Sequence, residues 1–149
     1  MAHGLALTEG RLWEALGGVR VLRAGRGKSP ALRARVRSGL PYACLETLAT
    51  RFSIGREELT VVLALPPRTL ARRKRERRLR ADESDRLLRL GRIAVLAEEV
   101  LGDRERAGRW LHEPSQALGG ERPLDLLDTD LGARQVEDVL TRLAHGVHS

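Results

Sequence analysis

Two adjacent prolines, Pro66 and Pro67, constrain this chain more than any other feature. The residue before a proline avoids helical torsions, so no helix can run through the pair. Pro67 can nevertheless open one, because its missing N–H would have no partner in a first helical turn anyway. Before the prolines, Leu59, Val62 and Leu63 mark the inner face of a helix that begins at Ser53 or Gly55. After them a new helix is expected over about Pro67 to Arg78, anchored by Leu70 and carrying seven Lys/Arg against one Glu. Like charges packed onto one short helix repel unless an anion is near. An apolar helix, a tight turn and a cationic helix together read as a helix-turn-helix, whose second helix enters the major groove of DNA. The expected DNA contacts are Arg68, Arg72 and Arg75 on one face, with Thr69, Arg73 and Lys74 flanking them.

The net charge of +7 conceals a division along the chain. Residues 20–80 hold 17 Lys/Arg against 4 Asp/Glu, residues 81–149 hold 9 against 14, and residues 1–19 hold one against two. One part is therefore +13 and the next −5, which points to a nucleic-acid surface on one side only and a different partner on the other.

The remaining pattern is helical throughout. Aromatic residues are 3% of the chain, so Leu, Val and Ala must build the core, which favours helix packing over a sheet. Thr8 is expected to cap a short helix with Leu12 and Leu16 inward, stopped at Gly17 and Gly18. Ser29 and Pro30 start a helix that ends near Ser38 and Gly39. Pro41 opens the next, with Tyr42, Leu45, Leu48, Ala49 and Phe52 on one face. A long helix over about Asp82 to Leu101 is apolar nearly all round, so it is expected to be buried on several sides as a spine. Asp103 caps a helix containing Ala107, Trp110 and Leu111, a short helix covers Pro123–Leu127, and Asp130 caps a last one from Leu131 to His145. Val136, Val139, Leu140 and Leu143 face inward there, and Gly146 is the stop.

Catalytic and metal chemistry find little footing. Cys44 is alone, and His3, His112, His145 and His148 form no ligand cluster. Glu83 and Asp85 resemble a carboxylate pair, but acids in a first helical turn complement the helix dipole. Ser84 has no nearby base. No enzyme activity, cofactor or metal is expected. Neither a hydrophobic signal core nor an apolar run near the ~18 residues of a membrane span is visible, so a cytoplasmic protein without a membrane partner is expected.

Five motifs in order carry a resemblance: Arg68-Thr69-Leu70-x-Arg72-Arg73; Glu83-Ser84-Asp85-Arg86-Leu87-x-Arg89-Leu90; Ala107-x-x-Trp110-Leu111-x-x-Pro114; Ala117-Leu118-Gly119-Gly120-x-x-Pro123-Leu124-x-Leu126-Leu127-x-Thr129; and Gly132-Ala133-x-x-Val136. Over residues 38–147 the chain resembles the Xre/MbcA/ParS antitoxin family. The resemblance implies an Xre-type helix-turn-helix in front, a toxin-binding domain behind, and a RES-domain toxin that consumes NAD or ADP-ribosylates proteins as partner. It also implies occlusion of the toxin's active site and repression of the chain's own operon. Where the family tends to have a Ser or Thr cap, this chain has Arg80, so Asp82 is expected to cap the spine instead.

The expected architecture is all-α: an N-terminal segment, partly flexible, over 1–28; a helix-turn-helix domain over 29–81; and a spine helix with a small helical toxin-binding domain over 82–149. A homodimer is expected, since two-fold proteins read two-fold operators. Trp110, Leu111, Leu124, Leu127 and Val136 are expected to be core. A site that accepts NAD receives a pyrophosphate, so carboxylates suit it. The expected toxin contacts are Arg134, Glu137, Asp138 and Arg142 on the last helix and the terminal carboxylate of Ser149, with the Ser115–Gly120 loop as a second surface. The alternative is a stand-alone helix-turn-helix regulator whose C-terminal part only dimerises; a RES-domain gene in the adjacent reading frame discriminates the two.

Overall fold

The computed structural model describes residues 2–22 and 29–146, with side chains over 9–22 and 31–146. Among the described residues the protein is all-α: α1 (Ala2–Ala15), α2 (Gly18–Leu22), α3 (Ser29–Ser38), α4 (Tyr42–Phe52), α5 (Arg56–Val62), α6 (Pro67–Glu76), α7 (Ala81–Leu101), α8 (Arg104–His112) and α9 (Asp130–Ala144). Two 3-10 turns, Gln116–Leu118 and Pro123–Leu126, lie between α8 and α9. Two isolated bridges are the extent of the β pairing among these residues.

The helices follow the apolar periodicity. Tyr42, Leu45, Leu48 and Phe52 of α4, Leu59 and Val62 of α5, and Val136, Val139 and Leu140 of α9 are all buried in one core. Helix α1 starts earlier than expected and runs straight through Thr8. It buries Leu12 and Trp13, and Leu16 is buried in the turn just past its end.

Three further termini differ from expectation. At the two helix starts among them, the capping group sits one or two residues from the obvious aspartate. The spine begins at Ala81, with Arg80 rather than Asp82 at the N-cap. Arginine has no acceptor to offer the first turn. Instead the Glu83 carboxylate reaches back and accepts from the Arg80 backbone N–H at 2.9 Å, the returning half of a capping box. Before α9, Thr129 rather than Asp130 is the cap, its Oγ1 accepting from the Gly132 N–H at 3.0 Å. Asp130 then lies in the first turn and pairs with Arg134. Helix α6 stops at Glu76 rather than Arg78, because Arg77 turns left-handed at φ 62°.

Helix α7 is the spine, in contact with α1, α3, α4, α5, α8 and α9. One of its faces recurs at seven-residue steps and meets the N-terminal helices. The Ser84 Oγ accepts from the Leu40 N–H at 2.8 Å. A Cβ on Gly91 would approach Leu12 Cδ1 to 2.7 Å, so a glycine there lets α1 lie close. Both Glu98 carboxylate oxygens accept from Arg51 Nη2, at 2.8 and 3.1 Å. Other faces hold α8 and α9, and Arg89 donates to the Leu127 carbonyl at 3.4 Å. A cut at the start of α7 would therefore bare a face built to be covered.

Candidate nucleic-acid and partner interfaces

Helix α6 is presented by its entry. Pro66 takes an extended conformation (φ −61°, ψ 151°) and Pro67 occupies the first turn. Leu70, 1% exposed, pins the helix to the core. Helical spacing then sorts the cations. Arg68, Arg72, Lys74 and Arg75 are exposed and Thr69 is half-buried. Arg72 has Glu76 at 3.6 Å, both about half exposed, an i,i+4 pair of small energetic weight.

Arg73, expected among the DNA contacts, instead turns inward and is 2% exposed. It lies three residues after Leu70 and shares its inner face, whereas Arg72 points away from it. Its Nε and Nη2 donate to Glu83 Oε1 and Oε2 at 2.7 and 3.0 Å, and Glu76 lies 3.3 Å from Nη1. Burial alone would push the Glu83 carboxyl up. The Arg73 hydrogen bonds, the Arg80 N–H and the charges of both arginines outweigh it and hold the group below its ordinary value. The hydrogen bond to Glu83 raises Arg73, against the effect of its own burial.

The exit of α6 is fastened just as firmly. The Tyr42 N–H donates to the Arg77 carbonyl at 3.1 Å, and the Leu79 N–H to the Leu40 carbonyl at 2.9 Å. Arg78 Nη1 donates to the Ser38 carbonyl at 3.1 Å. Gly39 makes this approach possible: it sits at φ +92°, and a Cβ there would fall 2.2 Å from the Leu79 carbonyl oxygen. Glu83 and Ser84 are thus tethers that orient α6 from the spine. Taken by sequence, Glu83 is only a dipole partner. The signal that could have found the pair is an Arg on the Leu70 face followed ten residues later by an acid at a helix start.

At the other end, Arg134, Glu137, Asp138 and Arg142 are all exposed on α9. Arg134 pairs with Asp130 at 3.0 Å, and Arg142 Nε donates to the Asp138 carbonyl at 3.4 Å. Ser149 lies outside the described residues. Leu111, Leu124, Leu127 and Val136 are core, and Trp110 is partly buried against it. Leu131, 70% exposed at the start of α9, adds to this surface an apolar residue that the sequence marks only as a helix start. The Ser115–Gly120 loop closes on itself through Ser115 N–H to Glu121 O at 3.0 Å and Gly120 N–H to Ser115 O at 2.8 Å. Leu118 seats it, leaving Gln116, Ala117, Gly119 and Gly120 exposed.

Catalytic candidates are accounted for by packing. Ser84 is fully buried and engaged with Leu40. Cys44 is buried, and burial pushes its thiol up to about 12, far from a reactive thiolate. Among the described residues no three His, Cys, Asp or Glu side chains converge as a metal site, and no helix is long and apolar enough to cross a membrane.

Comparison with known proteins meets this geometry at both ends. Residues 31–92 match the Antitoxin Xre-like helix-turn-helix domain, and residues 96–146 match the Antitoxin Xre/MbcA/ParS C-terminal toxin-binding domain. The chain is 32% identical over 140 residues to Antitoxin Xre of Yersinia enterocolitica, covering 93% of this chain and 90% of that protein. It is 30% identical over 122 residues to Antitoxin Xre of Photorhabdus laumondii, covering 80% and 82%. Against Antitoxin Xre of Pseudomonas putida it is 42% identical over 83 residues, 55% of this chain and about half (52%) of that relative. Two domain matches in this order, and relatives spanning nearly the whole length, place the chain in the Xre/MbcA/ParS antitoxin family, a family of antitoxins and not of enzymes.

Proposed function

We propose that this antitoxin neutralises a RES-domain toxin encoded beside it by covering the toxin's active site through α9, and represses its own operon through α6. The observation that carries the reading is the pairing of two exposed surfaces of different chemistry on one spine. Helix α6 offers Arg68, Arg72, Lys74 and Arg75 to an anion, and α9 offers mixed charge with an exposed leucine. The name the relatives share, Antitoxin Xre, and the toxin-binding character of the domain matched by residues 96–146 support the second half of the reading. The motif resemblance supports a RES toxin, a two-fold operator favours a homodimer, and work on the chain's own operon belongs to the cytoplasm. Arg73 is left out of the reading surface because it is spent on Glu83.

Band-shift titration on the DNA upstream of the protein's own reading frame tests the first half. Arg68→Ala and Arg72→Ala are each expected to weaken binding by about 1–3 kcal/mol, or roughly 5- to 150-fold, while toxin binding stays intact. Wild-type affinity should fall steeply with salt, since each neutralised phosphate releases counterion. Unchanged affinity in both variants would place the reading helix elsewhere.

A further inference from the structure

We propose that the concavity between α2, α3, the start of α4 and the exit of α6 holds a sugar-phosphate backbone of the same DNA, extending the interface beyond the reading helix. The proposal rests on the DNA-binding reading above and adds to it a site that shares only Lys74 with the α6 surface named there. The concavity is about 570 Å³ and open to solvent. Among the described residues five cations line it, Arg20, Arg35, Lys74, Arg77 and Arg78, with Tyr42 among them and Glu46 as the one carboxylate in the lining. They come from α2, α3, α6 and the turn that follows α6, so no single helix's sequence pattern produces the cluster. The ion pairs among the described residues involve none of the five. Like charges gathered at that density raise the energy of the folded state unless an anion joins them.

DNA backbone fits better than a small anion for a geometric reason. A helix in the major groove lies between two phosphate backbones, in a groove about 12 Å wide. Arg68, Arg72 and Arg75 occupy the front of α6, while Lys74, Arg77 and Arg78 lead off its C-terminal end into the concavity. A duplex seated on α6 would bring one backbone toward that end. The corner is also held in place, because the Arg77 carbonyl accepts from the Tyr42 N–H and the Arg78 guanidinium donates to the Ser38 carbonyl. A preformed cationic concavity binds phosphate without ordering its loops first.

The test uses the full-length protein and the duplex upstream of its own reading frame. The logarithm of the binding constant is measured against the logarithm of salt concentration for wild type, for Arg20→Gln with Arg35→Gln, and for Arg20→Lys with Arg35→Lys. The glutamine pair is expected to flatten the slope by about 2, close to one unit for each phosphate that is no longer neutralised. The lysine pair keeps the charge and is expected to restore most of the slope. The preference for the upstream duplex over a scrambled one should be unchanged in both, and thermal melts should overlay wild type. An unchanged slope in the glutamine pair, with binding still weakened in Arg68→Ala, overturns this site and leaves the reading helix standing. Unchanged binding in the glutamine pair and in Arg68→Ala alike overturns the DNA reading itself. A changed sequence preference in the glutamine pair would mean that these residues read bases, which also overturns the proposal.

Discussion

Glu83→Gln is expected to destabilise the folded protein by about 3–5 kcal/mol, the range seen when one partner of a buried ion pair is removed. Arg73 and Glu83 are each about 3% exposed at the side chain and joined by two short hydrogen bonds. Glutamine fits the same space and can still accept from the Arg80 N–H. It leaves the Arg73 guanidinium buried, with only the half-exposed Glu76 within reach. Replacing both partners together, Arg73→Met with Glu83→Leu, removes the buried charge altogether and is expected to be much milder. Urea unfolding followed by circular dichroism measures both. A loss under about 1 kcal/mol in Glu83→Gln would mean that the pair does not tether α6 to the spine.

The same pair sets an acid response. The Glu83 carboxyl binds its proton more weakly in the folded state than in the unfolded chain. Its contribution to stability is therefore complete above the unfolded carboxyl value, about 4.3, and is lost as pH falls through the lower folded value. Glu83→Gln should lack this component, so the gap in stability between wild type and variant should narrow as the solution is acidified.

The second large effect concerns the partner. Reversing charge on α9 by Glu137→Arg, Asp138→Arg and Arg142→Glu is expected to weaken toxin binding by about 100-fold or more, the scale reached when two or more interface residues each cost over about 1.4 kcal/mol. All three are exposed, so helix content and promoter binding should stay normal. A core change such as Leu140→Ala would confuse the matter, because Leu140 is fully buried and its truncation costs about 2–5 kcal/mol of stability. Calorimetric titration of the purified toxin with the triple variant decides it. Undiminished affinity would move the contact to the Ser115–Gly120 loop or to the exposed Leu131.

What is legible in the sequence follows the physics that is local. Pro66-Pro67 announces the turn because proline geometry needs no tertiary context. The stripes of α4, α5 and α9 announce their buried faces because a 3.6-residue period survives in any helix. The misses are tertiary or one step finer. Charge alone groups Arg73 with its neighbours, while its three-residue spacing from Leu70 decides its direction. The helix dipole accounts for Glu83 only until α6, which supplies its partner, is packed against the spine. At both misplaced caps an aspartate inside the first turn draws the reading away from the true cap. Arg80 is capped from Glu83, and Thr129 caps with its own hydroxyl. The cationic concavity beside α4 is invisible in the sequence for the same reason as the Arg73–Glu83 pair: Arg20, Arg35 and Arg77 become neighbours only when α2, α3 and the α6 exit are packed together.

The proposed function gives one chain a DNA-reading helix and, elsewhere along its spine, a surface that silences a RES-domain toxin. Its most direct test is a titration of the purified product of the adjacent reading frame with this protein, following NAD consumption. Consumption is expected to fall linearly to the baseline as antitoxin is added, with a break at a fixed molar ratio, and Arg68→Ala is expected to titrate in the same way as wild type. NAD consumption undiminished by excess antitoxin, with no complex formed, would contradict it.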